Sequence, residues 1–371
     1  MTIQYPLKFT KSGGAATGFQ EFEPGDQITQ DLIASLMGRN RIINGTLDIW
    51  QRGTNFNFGA NQRGYTADRF FARSDDSGSI AISRVDVPTN ANAALSPFKS
   101  YFSAQVSAGS GAATRQVVSY PIEGVKTLSG GKAALSILMW ADAPKNVGVQ
   151  LYQGFGGGAS PNYLTPQVIS LTTVPTRYTL VFDVPLVTAS FDSTSRLQVV
   201  FYLSAGSNYN ANSGAIGFQS GTFNFTGLQV EGGQAATDFD FRPHALELLL
   251  CQRYYEKSFL AETAPAANVN SPQYISSAFS STVSRLWVPY KVTKRAPAAV
   301  TIYRDSTSST GSASAANLFN VGAGAWQAAN SATSVSGARH DGFFCDPALA
   351  WTGAANQSLL AAFNWTADAE L

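Results

Sequence analysis

Cysteine and histidine are nearly missing from this sequence: 371 residues hold two of each. Cys251 and Cys345 stand far apart with no CxxC spacing, which excludes a zinc cluster and a disulfide scaffold. Two buried free thiols are expected, because free cysteine is among the most buried residue types. With only His244 and His340, histidine-based acid–base chemistry has little to work with, although Asp/Glu chemistry stays open. Charge is scarce as well, at 13% of residues, about half the usual share. The balance of 25 Lys+Arg against 24 Asp+Glu leaves a net charge of +1. That is no electrostatic footprint for nucleic acid or an anionic membrane. No run of about 18 apolar residues is present, so membrane insertion is not expected. The opening MTIQYPLKFTKSGG lacks the apolar stretch of a signal peptide, which predicts a chain that does not leave the cytoplasm by the ordinary secretory route.

What stands in place of charge is Gly, Ser, Thr, Asn, Gln and Ala, with 44% apolar residues, 12% aromatics and 16 Pro. An uncharged polar composition of this kind predicts extended structure with many turns. The fold class expected is mainly β: an antiparallel β-sandwich or jelly roll plus a C-terminal β module, with two short α-helices.

Four segments follow from the pattern. Residues 1–39 begin with a short alternating strand (Ile3, Tyr5, Leu7, Phe9) and a Gly-rich turn. They end in an amphipathic helix over 26–37, with Asp26 as N-cap, Leu32, Ile33, Leu36 and Met37 on one face, and Gly38 as the C-cap glycine. The next domain or copies of the chain could equally cover that face. Residues 40–242 read as a sandwich whose clearest strands are 115–123, 133–141, 147–152, 177–184, 196–204 and 221–233. Residues 153–166 read as a loop. Residues 243–257 read as a connecting helix that starts at Pro243 and packs through Leu246, Leu249, Leu250, Arg253 and Tyr254. Residues 258–371 read as a second β module, serving oligomer or receptor contact.

One set of motifs is specific. Asn40-Arg41-Ile42-Ile43-Asn44-Gly45 continues through Asp48-Ile49-Trp50-Gln51-Arg52-Gly53-Thr54 to Gly64-Tyr65-Thr66-Ala67-Asp68-Arg69-Phe70. Further on stand Leu228-Gln229-Val230-Glu231-Gly232-Gly233, Ala236-Thr237-Asp238-Phe239, Phe241-Arg242-Pro243 and Leu250-Cys251-Gln252-Arg253-Tyr254-Tyr255. The chain closes on Trp365-Thr366-Ala367-Asp368-Ala369-Glu370-Leu371. This ordered series resembles a family of bacteriophage and prophage fibre proteins, with Leu47 and Asp238 departing from its usual aromatic and proline. The resemblance implies a carbohydrate-binding-module-like jelly roll on a virion fibre or spike. It also implies a homotrimer used in host attachment, bound to other virion proteins through residues 1–39 and to host surface polysaccharide. Such a chain is made in the bacterial host cytoplasm and assembled on the particle. The resemblance leaves open a tail or a head appendage, and a structural adaptor without a ligand.

Within those motifs Trp50, Arg52, Asp68, Arg69 and Arg242 read as structural. An Asp–Arg fork beside a Trp closes a sandwich end well, because Arg pairs bidentately and stacks on rings. Asp68 is expected to pair with Arg52 or Arg69, and Arg242 to satisfy carbonyls where the chain leaves the sheet. Sugar binding needs rings for pyranose C–H faces and amides for directional hydrogen bonds. Tyr152, Gln153, Phe155, Asn162 and Tyr163 fit that need, as do Tyr202, Asn208, Tyr209 and Asn210. For each ring the alternative is burial in the core or between copies. Trp140, mid-strand among apolar neighbours, is expected in the core. Glycoside cleavage needs two carboxylates across a cleft, whereas Glu123, Asp142 and Asp183 are scattered without a motif. Binding without catalysis is therefore expected, with polysaccharide trimming as the alternative and no cofactor required. Asp48, Asp68, Asp183 and Asp240 are the candidate oxygen donors should a structural calcium be held.

Overall fold

The structure is a computed structural model that describes residues 7–12, 15–21, 38–261, 263–278, 283–306, 313–321, 324–327, 333–347 and 358–371. The expected helix over 26–37 lies outside the described residues. The chain divides into two units, Met1–Arg39 and Asn40–Leu371. The first contains an antiparallel hairpin of β1 (Leu7–Ser12) and β2 (Ala15–Glu21), with a register shift after Thr10.

The second unit opens with two antiparallel sheets packed face to face. Its strands are β3 (Asn55–Phe58), β4 (Gln62–Tyr65), β5 (Phe71–Asp75), β6 (Gly78–Asp86), β7 (Ser100–Ala108), β8 (Arg115–Glu123) and β9 (Gly131–Ala141). They continue with β10 (Lys145–Gly154), β11 (Asn162–Tyr163), β12 (Gln167–Leu171), β13 (Thr176–Val184), β14 (Arg196–Ala205) and β15 (Gly221–Gly232). One sheet has seven strands in the order β11-β10-β14-β8-β5-β4, with β12 also on β10. The other has six in the order β13-β9-β15-β7-β6-β3. This is the sandwich the turn spacing predicted.

Strand alternation builds its core. Leu197, Val199, Phe201 and Leu203 of β14 face Leu135, Ile137 and Met139 of β9 and Phe223 and Phe225 of β15 in one buried cluster. Aromatic packing fixes the middle, with Phe102 stacked on Phe225 at 4.6 Å and Phe70 edge-on to Tyr120 at 5.0 Å. Trp140 corrects the expectation for it. It stands one residue out of phase with Met139, half-buried on the outer face, where its ring meets Tyr101 at 4.8 Å.

The helix His244–Gln252 is shorter than the pattern suggested, and residues 255–257 leave it as a strand. Tyr254, just past it, is buried as expected, but the helix itself presents another face. Glu247, Cys251 and Gln252 are buried, while Leu246 and Leu249 are 45% and 48% exposed. The buried Glu247 carboxylate explains the inversion. It accepts from the Asn44 backbone N–H at 2.5 Å and pairs with Arg242 at 3.1 Å, so that face must point inward.

The C-terminal part is a nine-stranded antiparallel sheet of β16 (Tyr255–Lys257), β17 (Gln273–Ala278), β18 (Ser284–Pro289), β19 (Ala299–Arg304), β20 (Asn317–Asn320), β21 (Ala325–Gln327), β22 (Ser334–Ser336), β23 (Gly342–Asp346) and β24 (Ser358–Asp368). The last strand organises it: β17 and β20 pair with its first half, β16 and β19 with its second. Phe343, Phe363, Trp365 and Cys345 anchor a core of its own. Cys251 and Cys345 are both free and buried.

Candidate functional site

The outer face of the seven-stranded sheet is where side chains gather. The alternation that sends Leu197, Val199 and Phe201 inward sends Arg196, Gln198, Val200 and Tyr202 outward. On β8 the outward residues are Arg115, Val117, Ser119 and Pro121; on β10, Tyr152. Register aligns them in rows. Tyr163 is opposite Tyr152, Tyr152 opposite Gln198, and Gln198 opposite Pro121. The next row runs Val200, Ser119, Phe71, Tyr65. A third runs Tyr202, Val117, Arg73. Together they enclose a groove of about 290 Å³, with Leu371 on its rim.

Each end of this face has a physical closure. At one end the helical turn Asn210–Ser213 lies on the sheet because position 148 is glycine. A Cβ there would stand 2.1 Å from the Ser213 carbonyl oxygen. Asn212 then donates to the Gln150 amide oxygen at 3.2 Å, and the Tyr202 hydroxyl reaches the same oxygen at 3.4 Å. At the other end the Tyr65 hydroxyl donates to the Leu371 carbonyl oxygen at 2.8 Å, and its ring sits edge-on to Phe71 at 5.1 Å.

Between the ends the face is aromatic and cationic. The Tyr152 and Tyr163 rings are 5.2 Å apart, and Tyr163 is 52% exposed. Arg196 lies 6.0 Å from the Tyr152 ring and donates through Nε to the Gln198 amide oxygen at 2.8 Å. Arg115 lies over the Tyr209 ring at 4.3 Å and donates to Asp75 at 2.6 Å; Arg73 donates to the other Asp75 oxygen. Burial pushes the Asp75 carboxyl up, but the two arginine hydrogen bonds outweigh it and hold the carboxyl below the usual range. Burial raises the Tyr202 hydroxyl to about 12, against the opposing pull of Arg115.

Of the residues proposed from sequence, the fold brings Tyr152, Tyr163 and Tyr202 to this groove. Tyr209 stands behind Arg115 rather than in the groove. Gln153 is turned inward and buried, donating to the Pro185 carbonyl at 2.8 Å and accepting from Asn162 at 3.0 Å. Its strand, β10, runs on through Gly154, and Asn162–Tyr163 pairs back on it, so the segment 153–166 is partly strand. Phe155 is half-buried past the end of β10, and Asn208 and Asn210 are exposed away from the groove lining. Arg73, Arg115, Arg196, Gln198 and Ser119 were missed. Strict alternation along RLQVVFY was the signal that puts Arg196, Gln198 and Tyr202 on one face.

The fibre-like motifs meet elsewhere, where the sandwich abuts the closing residues of the chain. Trp50 is buried and donates through Nε1 to the Leu47 carbonyl at 2.6 Å. Arg52 approaches Asp68 at 3.9 Å, Asp368 at 3.0 Å and Glu370 at 3.4 Å, and stacks on Tyr255 at 3.6 Å. Arg69 pairs with Glu370, not Asp68; it also donates to the Pro121 carbonyl at 2.6 Å and lies 3.5 Å from the Tyr254 ring centre. Pro121 sits past the end of β5, so its carbonyl is free for that bond. Arg242 donates to the Ile42 carbonyl at 2.9 Å and to that of Asn40. Burial lifts Asp68 to about 6, partly opposed by Arg52. Among the described residues no group of three or more His, Cys, Asp or Glu is placed to hold a metal ion. Asp183 pairs with Lys132, Asp48 meets the Ser100 hydroxyl, and Asp240 meets the Asn40 backbone, each apart from Asp68.

No family model and no curated protein matches the chain. Among solved structures it is similar to a CBM4 structure, at 17% identity and a TM-score of 0.31, over 51% of this chain and 98% of that one. It is also similar to the family 11 carbohydrate-binding module from Clostridium thermocellum in complex with a β-1,3-1,4-mixed-linked tetrasaccharide, at 8% identity and a TM-score of 0.30, over 50% and 99%. A third similarity is to the enzymatically active domain of bacteriophage CBA120 tailspike protein 4, at 11% identity and a TM-score of 0.30, over 53% of this chain and 22% of that one. At these scores the likeness says nothing about a ligand, and the functional argument rests on the groove itself.

Proposed function

We infer that this chain is a glycan-binding subunit of a virion fibre or spike in a phage or phage-like particle. The observation that carries the glycan reading is the groove, where tyrosines from four strands surround open hydrogen-bonding groups. Among the described residues the Ser119 hydroxyl and the Gln198 amide nitrogen meet no partner, so both are available to sugar hydroxyls. The exposed Tyr163 ring supplies a flat apolar face beside them. The virion reading is supported by the ordered motifs from Asn40 to Tyr255 and at 365–371. Residues 1–39 then join the chain to other virion proteins. Binding rather than cleavage is supported by the lining, which includes no Asp or Glu.

A homotrimer is favoured by one observation: Phe241, Leu246 and Leu249 lie outward within nine residues of chain, each 45–50% exposed. Several modest sugar sites on one particle then act with high avidity.

The test is retention of the purified full chain on host surface polysaccharides, with reducing ends assayed in the same tube. Binding without new reducing ends is expected, weakened about tenfold, or ~1.4 kcal/mol, by Tyr163→Ala. Retention of no polysaccharide would overturn the glycan reading. Release of reducing ends would replace it with a trimming enzyme.

A further inference from the structure

The groove face concentrates positive charge that the chain as a whole does not carry. Arg63, Arg73, Arg115 and Arg196 project from it on four strands, Arg63 by its register opposite Arg73 and its place two residues before Tyr65. Asp75 is the one carboxylate paired with any of them among the described residues, and it is divided between Arg73 and Arg115. The nearby Glu370 is committed to Arg69 and Arg52. Arg196 makes only neutral contacts, to Gln198, the Thr194 carbonyl and the Tyr152 hydroxyl. It makes no ion pair: the Glu123 carboxylate opposite it in register is held by Arg253 and Tyr254, and Arg63 meets no carboxylate among the described residues.

Four guanidinium groups that share one ion-paired carboxylate, Asp75, are a costly arrangement for an empty surface and a useful one for an anionic chain. Guanidinium presents a planar fork that fits a carboxylate bidentately. A neutral glycan needs rings and amides and gains little from a row of arginines. The positions also suit a polymer. Arg196 and Arg73 lie two strands and six residues apart in register, roughly 20 Å, with Tyr152, Tyr163 and Gln198 nearer Arg196.

We propose that the groove takes a polysaccharide built from sugar acids. One ring rests on Tyr163 and Tyr152, its carboxylate meets Arg196, and a carboxylate further along the chain meets Arg73 and Arg115. This rests on the glycan reading above and adds the charge of the ligand to it.

The experiment measures binding of the full chain to polygalacturonate, alginate and hyaluronan, each beside its carboxyl-reduced form, and to dextran sulfate. At least one acidic polymer is expected to bind ten times or more tighter than its reduced form. That advantage should fall as salt rises from 0.05 to 0.5 M, where screening shortens to a few ångströms. Arg196→Gln should remove most of the advantage by weakening the acidic form far more than its reduced form, whereas Tyr163→Ala should weaken both forms alike. Equal binding of acidic and reduced forms overturns the acidic-ligand proposal and leaves glycan binding standing. Tighter binding to dextran sulfate, unaffected by Arg196→Gln, also overturns it, because the face is then a general anion exchanger. Retention of no polymer in either form overturns both readings.

Discussion

Removing the Glu370 carboxylate tests how the sandwich is joined to the closing strand. Glu370 and Arg69 are 4% and 1% exposed at their side chains, and the same carboxylate reaches Arg52, itself 11% exposed. Burial works against both guanidinium charges, and the surrounding carboxylates, Glu370 first, more than reverse it, so both arginines stay firmly charged. In Glu370→Ala, Arg69 keeps only the Pro121 carbonyl and the Tyr254 and Tyr120 rings, while Arg52 keeps Asp368 and Asp68. Stranding one buried charge costs about 3–5 kcal/mol. Unfolding entropy is about 2.1 cal/mol/K per residue, so a unit of about 330 residues loses roughly 4–7 °C in melting temperature. Differential scanning calorimetry reads this directly. Replacing both partners with apolar groups, Arg69→Met with Glu370→Leu, should recover at least half of the loss, because Arg69 no longer leaves a buried charge unpaired and Arg52 keeps Asp368 and Asp68. A single variant melting within about 1 °C of the parent would refute the reasoning, since the pair would then be solvated. A double variant as unstable as the single one would refute the charge argument and leave packing as the cause.

Other outcomes follow from the same structure. Asp68, lifted to about 6 by burial, binds its proton more tightly when folded than unfolded, so its contribution is present at low pH and lost as pH rises through about 6. Asp75 and Glu123, held below their usual values, act oppositely and lose their contribution as pH falls through those values. Stability is therefore expected to peak between about pH 4 and 6, and Asp68→Asn should flatten its upper side in denaturant titrations. Burial raises both thiols, so Cys251 and Cys345 should react with a maleimide only after unfolding; labelling of the native chain would contradict their burial. Leu246→Ser with Leu249→Ser should cost under about 1 kcal/mol in stability yet shift the oligomer toward monomer in sedimentation. Gly148→Ala should push the turn Asn210–Ser213 off the sheet and weaken polysaccharide binding about tenfold by opening one end of the groove.

Legibility in the sequence tracks how local the deciding interaction is. Strand 115–123 came out at its observed bounds because its alternating core residues, Val118, Tyr120 and Ile122, lie within one strand. The helix at 244 was misjudged because its leucine periodicity is real, while the group that sets its facing is not periodic. Glu247 is drawn inward by Asn44 and Arg242, and Asn44 is 203 residues away. Tyr152, Tyr163 and Tyr202 were visible as candidates, yet reading 153–166 as a loop obscured what joins Tyr163 to Tyr152. Tyr152 and Tyr163 meet by pairing across β10 and β11, and Tyr202 enters from β14 four residues out of their row.

The motifs give the sharpest case. Arg52, Asp68 and Arg69 announce an Asp–Arg fork, and with both partners in view a local pair is the natural reading. The geometry instead spends Arg69 on Glu370, 301 residues on, and holds Asp68 mainly through Gln51, with Arg52 at 3.9 Å. The motif at 50–70 and the closing Asp368-Ala369-Glu370-Leu371 are thus two halves of one buried clip. That clip has a functional edge. Arg69 and Glu370 fix the residue before Leu371, and Leu371 takes the Tyr65 hydroxyl on the groove rim. Loosening the clip therefore changes the groove as well as the stability. Glu370→Ala should weaken glycan binding even at temperatures where the sandwich is fully folded, by freeing the rim that Tyr65 and Leu371 build together. Binding unchanged in that variant, with the melting temperature lowered as worked out above, would separate the clip from the site and make the closing residues a structural element alone.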